Sequence, residues 1–226
     1  MSLGWKLVSR FFLGLLCFAL IFFGTAGSLR FWEAWEFLAA WFIPGLIFCV
    51  YFYKRDPEFI RRRMQSKEKE TEQKWIMRAA FSVFLAAFLM PGLDFRFGWS
   101  KRWLGAVPVW LQILSLAVVL CAYLMVLWVF DVNRYAARTI QVESGQRVIS
   151  AGPYRWVRHP MYLGSLVMLL FAPLALGSYV ALPVFTLTAP VYIFRLLNEE
   201  SVLRRELAGY SEYCATTRYH LVPYLW

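Results

Sequence analysis

The stretch 152–164, which reads GPYRWVRHPMYLG, sets two arginines, a histidine and two tyrosines directly around the start of a long apolar run. About forty residues later, after a second apolar stretch, come the adjacent acids Glu199 and Glu200. If the two apolar stretches form a helical hairpin in a membrane, these polar groups meet at the same end of it. Ionisable groups at membrane depth are costly and usually functional. The pattern therefore predicts a site for a charged small molecule at one mouth of a hairpin.

The composition of the chain indicates a membrane protein. Hydrophobic residues make up 60% of the 226 residues and charged residues only 17%, and a helix needs roughly 20 apolar residues to cross the bilayer. The apolar stretches predict spans at 7–23, 32–53, 75–93, 105–130, 160–176 and 179–197. Because the last two are short, they could form a hairpin that does not fully cross. We expect an all-α polytopic membrane protein of one domain, with five to six membrane-embedded helices, in which 1–130 supply N-terminal transmembrane helices and 131–226 the half that holds the candidate site.

The distribution of basic residues predicts the orientation. Twenty of the 24 lysines and arginines lie at the N-terminus or in the polar segments 54–78, 134–158 and 195–218, and four lie in the remaining loops. The positive-inside rule then places both termini and the candidate site in the cytoplasm. The net charge of +10 favours contact with anionic membrane lipids. A nucleic-acid partner is excluded as an interpretation, because the charge is divided among loops that flank the membrane.

Three polar segments and the cysteines complete the predicted layout. Segment 54–74 is expected to form a solvated cytoplasmic helix or loop, 131–157 a folded cap over the site, and 198–218 an amphipathic helix or two. The four cysteines have no paired spacing and there are only two histidines, so neither a disulfide framework nor a metal site is expected.

Local helix geometry favours ion binding by the polar groups at the hairpin mouth. Pro160 suits the first turn of a helix, so Arg158 and His159 should lie near free N–H groups that favour an anion. Arg195 and Glu199, spaced i and i+4, should share a helix face. These residues could also form a simple ion pair and a lipid-headgroup anchor, and the spacing alone leaves both readings open.

The ordered motifs resemble one protein family. They are Arg158-His159-Pro160-x-Tyr162-x-Gly164, then Glu199-Glu200, then Gly209-Tyr210-x-x-Tyr213 with Arg218 and Pro223. Together they resemble the integral membrane methyltransferases, which include isoprenylcysteine carboxyl methyltransferase and, more distantly, the phospholipid methyltransferases. The resemblance covers about 133–223, and the short chain is similar to the prokaryotic branch, which implies the cytoplasmic (inner) membrane.

The resemblance implies S-adenosyl-L-methionine (SAM) as the methyl donor, held without a Rossmann domain. The donor-binding positions that it implies are Gln141, Gln146, Arg147, Val148, Ile149, Tyr154, His159, Pro160, Met161, Tyr162, Glu199 and Glu200. Charge agrees with this set, because the ammonium and sulfonium of SAM suit carboxylates and aromatic faces, and its carboxylate suits His159. Arg195 would orient an anionic acceptor, so Arg195 and Glu199 are the predicted catalytic residues.

The expected reaction is direct methyl transfer to a lipid-like acceptor from the bilayer, with the carboxylate of an isoprenylcysteine-like substrate preferred. A carboxylate is ionised at neutral pH and requires no general base. A phospholipid ethanolamine, the alternative acceptor, would require one, with Glu200 or His159 as candidates. Two other classes stay open. One is a sterol-reductase-like enzyme that holds a nicotinamide nucleotide phosphate with Arg147, Arg155 and Arg158, and the other is a non-enzymatic membrane protein. The sequence leaves the oligomeric state open.

Overall fold

The computed structural model describes residues 2–64, 71–135, 142 and 145–226, and within these residues the regular structure is helical, without a strand. In chain order the helices are α1 (Leu3–Ala19, continued by a π-helical turn at Leu20–Gly24), α2 (Trp32–Arg55), α3 (Pro57–Met64), α4 (Thr71–Phe97), α5 (Trp99–Trp103), α6 (Val109–Val132), α7 (Pro160–Ala175), α8 (Ala181–Thr186), α9 (Thr188–Glu206) and α10 (Tyr210–Thr216). A 3₁₀ turn at Gly152–Arg155 precedes α7.

The predicted all-α polytopic membrane fold is confirmed. Among the described residues, four segments are long and apolar enough to cross a membrane, namely Leu3–Gly24, Trp32–Arg55, Val109–Val132 and Ala181–Glu206. The shorter apolar α7 and the helix α4 occupy two further predicted spans. Only 6% of the most apolar window of the first segment is buried inside the protein. Its exposed phenylalanine and leucine side chains therefore suit contact with lipid.

The second half of the predicted hairpin differs from the sequence-based expectation. α8 and α9 join at Leu187 into one segment that ends at Glu206, nine residues beyond the predicted end at 197. The prediction that a separate amphipathic helix begins at 198 is therefore wrong. The helix continues through this position because no glycine or proline interrupts the chain between 191 and 206. Gly209, with a φ of 81°, separates α9 from α10. As a result, Glu199 and Glu200 lie inside a continuous helix.

Gly164 sets the close approach of α6 and α7. A Cβ atom at this position would lie 2.6 Å from Cγ2 of Val126 and 3.1 Å from the carbonyl oxygen of Ala122. Small residues allow helix backbones to approach closely in membranes. The glycine of the Tyr162-x-Gly164 motif thus holds the N-terminal turn of α7 against α6.

The polar segment after α2 is helical and attached to the protein. Asp56 caps α3 by accepting a hydrogen bond from the N–H of Phe59 at 3.0 Å, and Pro57 begins the helix. The guanidinium of Arg63 lies 3.7 Å from the ring centroid of Phe130 at the end of α6. This part of the predicted solvated segment therefore packs on the ends of the spans by cation–π contact.

Candidate active site

The first turn of α7 is held by a segment at the other end of the sequence. Pro160 is the first residue of α7, as predicted. The main-chain N–H of Arg158 donates to the carbonyl of Tyr219 at 2.9 Å, and that of His159 donates to the carbonyl of His220 at 3.0 Å. The segment 217–226 therefore lies beside the entrance to α7, which is a contact that the sequence did not predict.

Five charged or titratable side chains form one compact group, which we call the Glu200 cluster: Arg158, His159, Glu200, Arg204 and His220. Oε1 of Glu200 lies 3.1 Å from Nη2 of Arg158 and 2.7 Å from Nη2 of Arg204. Oε2 of Glu200 lies 3.3 Å from Nε2 of His159 and 3.0 Å from Nε2 of His220. Glu200 and Arg158 are only 4% and 5% exposed. Glu200 is thus the counter-ion of the cluster, and its role in cofactor binding stays a prediction.

Arg158 also binds the backbone of the C-terminal segment. Its Nη1 donates to the carbonyl oxygens of Thr217 at 2.9 Å and Arg218 at 2.8 Å. The ring of His220 stacks on Trp226 with centroids 4.8 Å apart. Burial lowers the pKa of His220, with the charge of Arg158 acting in the same direction and the charge of Glu200 in the opposite one. The neutral imidazole of His220 is therefore favoured. Through these contacts the Glu200 cluster connects α7, α9 and the segment 217–226.

A second group lies on a different face of α9. The hydroxyl of Tyr162 donates to Oε2 of Glu199 at 2.6 Å, and the Arg195 side chain interacts with the same hydroxyl. The ring of Tyr192 stands nearly perpendicular to that of Tyr162, with centroids 6.0 Å apart. Arg195 and Glu199 therefore share a face, as their spacing predicts, and Tyr162 of α7 is the point at which both meet.

Tyrosines pack together between the 3₁₀ turn and α10. The hydroxyl of Tyr213 donates to the carbonyl of Tyr154 at 2.8 Å, and Nδ2 of Asn133 donates to the hydroxyl of Tyr154 at 2.8 Å. Burial raises the pKa of Tyr213 to about 12 and the pKa values of Tyr154 and Tyr210 further, so all three are hydrogen-bond donors at neutral pH. The buried hydroxyl of Tyr210 has no hydrogen-bond partner among the described residues. It interacts electrostatically with both Glu199 and Glu200.

The remaining positions predicted to bind the donor differ in their burial and contacts. Val148 packs against Leu207, Tyr210 and Tyr213. Pro160 is buried, Met161, Gln146 and Ile149 are partly buried, and Arg147 is exposed. Gln141 lies outside the described residues, as does most of the predicted cap between 136 and 144. Sequence reasoning missed His220 and Arg204, for which no motif gave a signal, and it did not assign a role to Tyr210 although the residue stands in the quoted motif.

Comparison with known proteins matches a segment that carries many of these groups, whereas Tyr210, Tyr213 and His220 lie beyond it. A family model described as phospholipid methyltransferase matches residues 110–208, which confirms the resemblance stated from the motifs. The chain is 32% identical over 91 residues to the Delta(14)-sterol reductase TM7SF2 of Mus musculus, across 39% of this chain and 22% of that protein. It is 29% identical over 107 residues to the uncharacterized protein YpbQ of Bacillus subtilis (strain 168), across 46% of this chain and 58% of that protein. The chain thus spans less than two thirds of either relative.

Proposed function

Because residues 110–208 carry a phospholipid methyltransferase family domain, we propose that this protein is a membrane methyltransferase that uses SAM to methylate a lipid-like acceptor. The acceptor group that we propose is the carboxylate of an isoprenylcysteine-like molecule. The observation that carries the proposal is the meeting of Glu199 and Arg195 at the hydroxyl of Tyr162. Glu199, an anion suited to the donor, thereby lies one helical turn from Arg195, a cation suited to the acceptor.

The residues at this place fit SAM. Its ammonium and sulfonium require an anion, which Glu199 supplies, and its carboxylate or hydroxyls can accept from the buried, unpartnered hydroxyl of Tyr210. The rings of Tyr154 and Tyr162 offer aromatic faces to a cation. Bound there, SAM would supply an electrophilic methyl group, whose carbon–sulfur bond breaks as the acceptor oxygen bonds the carbon. The protein would hold both partners in line and exclude water, and such positioning supplies roughly 7–11 kcal/mol in favourable cases.

The Glu200 cluster supports a carboxylate over an amine as acceptor. An ethanolamine acceptor needs a base to take its proton, and the sequence offered Glu200 and His159. Both are 4% exposed and contact each other at 3.3 Å within the cluster. Engaged in this way, they hold α7 against the segment 217–226 and neither is open to an acceptor. We therefore assign them as positioning residues, and a carboxylate, already ionised, needs no base.

Arg195→Lys separates acceptor recognition from donor binding. Lysine keeps the positive charge but loses the planar fork that matches a carboxylate. We expect turnover to fall roughly 10-fold or more, equivalent to about 1.4 kcal/mol, while SAM affinity stays within a few-fold. Steady-state methyl transfer and calorimetry measure the two quantities.

The matched control for this variant is Arg205→Lys, at an exposed arginine of the same helix that pairs with Glu206. It should leave both quantities unchanged. If Arg195→Lys abolishes SAM binding in folded protein, Arg195 belongs to the donor site. If turnover is untouched, Arg195 only supports Glu199 and an amine acceptor gains support.

The charge distribution supports an orientation in which the site faces the cytoplasm, where SAM is available. Single cysteines at position 61, in α3, and at position 102, in α5, test this in a background without the four native cysteines. An impermeant thiol reagent on intact cells should label position 102 and not position 61. The reverse labelling would put the site on the other side and contradict the orientation.

A second candidate function rests on the sterol reductase relative. Of the three arginines suggested for a nucleotide phosphate, Arg158 is engaged with Glu200 and two carbonyls, while Arg147 and Arg155 are exposed. Calorimetry of the purified protein with SAM and with NADPH tests both functions. Binding of SAM, together with transfer of its labelled methyl group to an extracted lipid detected by mass spectrometry, supports the methyltransferase. Binding of NADPH alone supports the reductase and overturns our proposal.

A further inference from the structure

The turn at 221–226 carries two strongly exposed apolar side chains that the proposed reaction does not use. Tyr224 is 92% exposed and Leu225 80%, the highest values for large hydrophobic residues in the described part of the chain. The turn is nevertheless closed by hydrogen bonds, because the main-chain N–H groups of Leu225 and Trp226 donate to the carbonyl of Val222 at 3.2 and 3.1 Å. The two side chains therefore project from a defined turn.

Tyr224 adopts an unfavourable backbone conformation. Its φ of 67° is, among the described residues, the one positive value outside glycine. Such a left-handed conformation is uncommon for a bulky residue and costs free energy. The ring of Tyr224 lies 5.4 Å, centroid to centroid, from that of Tyr219, and most of its surface remains exposed. The turn thus presents this ring to a surface outside the chain.

The start of the turn lies deeper in the hairpin than the Glu200 cluster. Leu221 is 5% exposed and forms one buried apolar cluster with Tyr162 of α7 and Leu196 of α9. These two residues lie three and four positions further into the hairpin than the nearest members of the Glu200 cluster, which at 1.5 Å per residue is about 5 Å. The chain thus runs from 217 towards the membrane, and the 221–226 turn begins beside the first turn of α7.

The first turn of α7 lies at the boundary of the bilayer. α7 has 16 residues and is about 24 Å long, which is less than the roughly 30 Å of a hydrocarbon core. Its ends therefore cannot project far out of the membrane. Trp156, four residues before Pro160, is 60% exposed, and its ring lies 6.2 Å from that of the exposed Trp128 of α6. Exposed tryptophans are typical of the membrane–water interface, so the 221–226 turn begins at the depth of this interface.

We propose that the 221–226 turn is a membrane anchor that inserts Tyr224 and Leu225 into the bilayer interface beside the candidate active site. Leucine gains free energy by leaving water, and tyrosine places an apolar ring in lipid while its hydroxyl stays among the headgroups. The exposed Arg218, three residues before the turn, carries a positive charge that suits anionic headgroups. Because Arg158 binds two carbonyls of the same segment, the anchor holds the entrance to α7 at a fixed depth.

Spin labels test the depth of the turn in the full-length protein without SAM, so the outcome does not depend on the methyltransferase proposal. Single cysteines are introduced at 225 and, as the exposed control, at 211 in α10, in a background without the four native cysteines. In vesicles of phosphatidylcholine and phosphatidylglycerol, collisions of the label with oxygen report lipid, and collisions with a water-soluble nickel chelate report water. We expect the oxygen-to-nickel ratio at 225 to exceed that at 211 roughly fivefold or more, because polar solutes are excluded from apolar surroundings.

Two other outcomes of the labelling would overturn the proposal. An equal ratio at 225 and 211 would place the turn in water. A label at 225 that is shielded from both oxygen and the nickel chelate would place the turn against another protein or a second copy of this chain.

A charge at the same position tests the anchor by a second measurement. Leu225→Asp should speed amide hydrogen exchange in 217–226 roughly tenfold in nanodiscs of the same lipids, because burial of a leucine side chain is worth at least about that factor. Ser211→Asp adds the same charge at the exposed control position and should leave this exchange unchanged, and Leu225→Phe should keep the protection of the parent. An unchanged rate in Leu225→Asp, or an equal increase in both aspartate variants, would contradict insertion of the turn.

Discussion

Replacing Glu200 with alanine is expected to lower the free energy of unfolding by about 3–5 kcal/mol, because removal of one partner leaves a buried charge without compensation. Arg158, 5% exposed, would lose its counter-ion, and Arg204, His159 and His220 would lose their common acceptor. Chemical denaturation of the purified protein in detergent measures the change. Hydrogen exchange should also show that 217–226 loses protection, since Arg158 holds this segment through two carbonyls.

Glu206→Ala is the matched control for Glu200→Ala. Glu206 lies on the same helix, its side chain is 43% exposed, and it pairs with the exposed Arg205. Exposed ion pairs contribute about 0–1 kcal/mol, so this variant should remain close to the parent. A Glu200→Ala protein as stable as the Glu206→Ala protein would mean that the Glu200 cluster does not hold the C-terminal segment in place.

Replacing Glu199 with glutamine is expected to weaken SAM binding by roughly 10- to 150-fold, the cost of losing a charged hydrogen bond of about 1.5–3 kcal/mol. Glutamine keeps the size and one acceptor oxygen, so the contact with Tyr162 can persist and the melting temperature should change little. Calorimetric titration with SAM measures the affinity. Unchanged affinity in folded Glu199→Gln protein would remove Glu199 from the donor site.

A comparison with Glu200→Gln separates the two adjacent acids. Glu200 is the counter-ion of the Glu200 cluster, so Glu200→Gln should mainly lower the free energy of unfolding. It should weaken SAM binding only indirectly, because α7 is displaced. Glu199→Gln should show the opposite pattern. If both variants lower stability equally and SAM affinity equally, the distinction that we draw between a donor-binding and a positioning acid is wrong.

The sequence by itself determined most of the helices and one face of the site. In lipid every backbone N–H and carbonyl must be bonded within the chain, so long apolar stretches become helices wherever they lie in the fold. Local rules also placed the start of α7 at Pro160 and the common face of Arg195 and Glu199. These features depend on residues within one or two helical turns, and for that reason they could be read from the sequence.

The tertiary structure alone decided which side chains each of the two adjacent acids contacts. Neighbouring residues on an α-helix point about 100° apart, so Glu199 meets Tyr162 of α7 whereas Glu200 meets Arg158 and the segment 217–226. The spacing Glu199-Glu200 contains no information on which neighbour lies on each side. The same holds for the Glu200 cluster as a whole, in which Arg158, Glu200 and His220 come from three distant parts of the chain. Partners this far apart in sequence are chosen by helix packing, which no local pattern records.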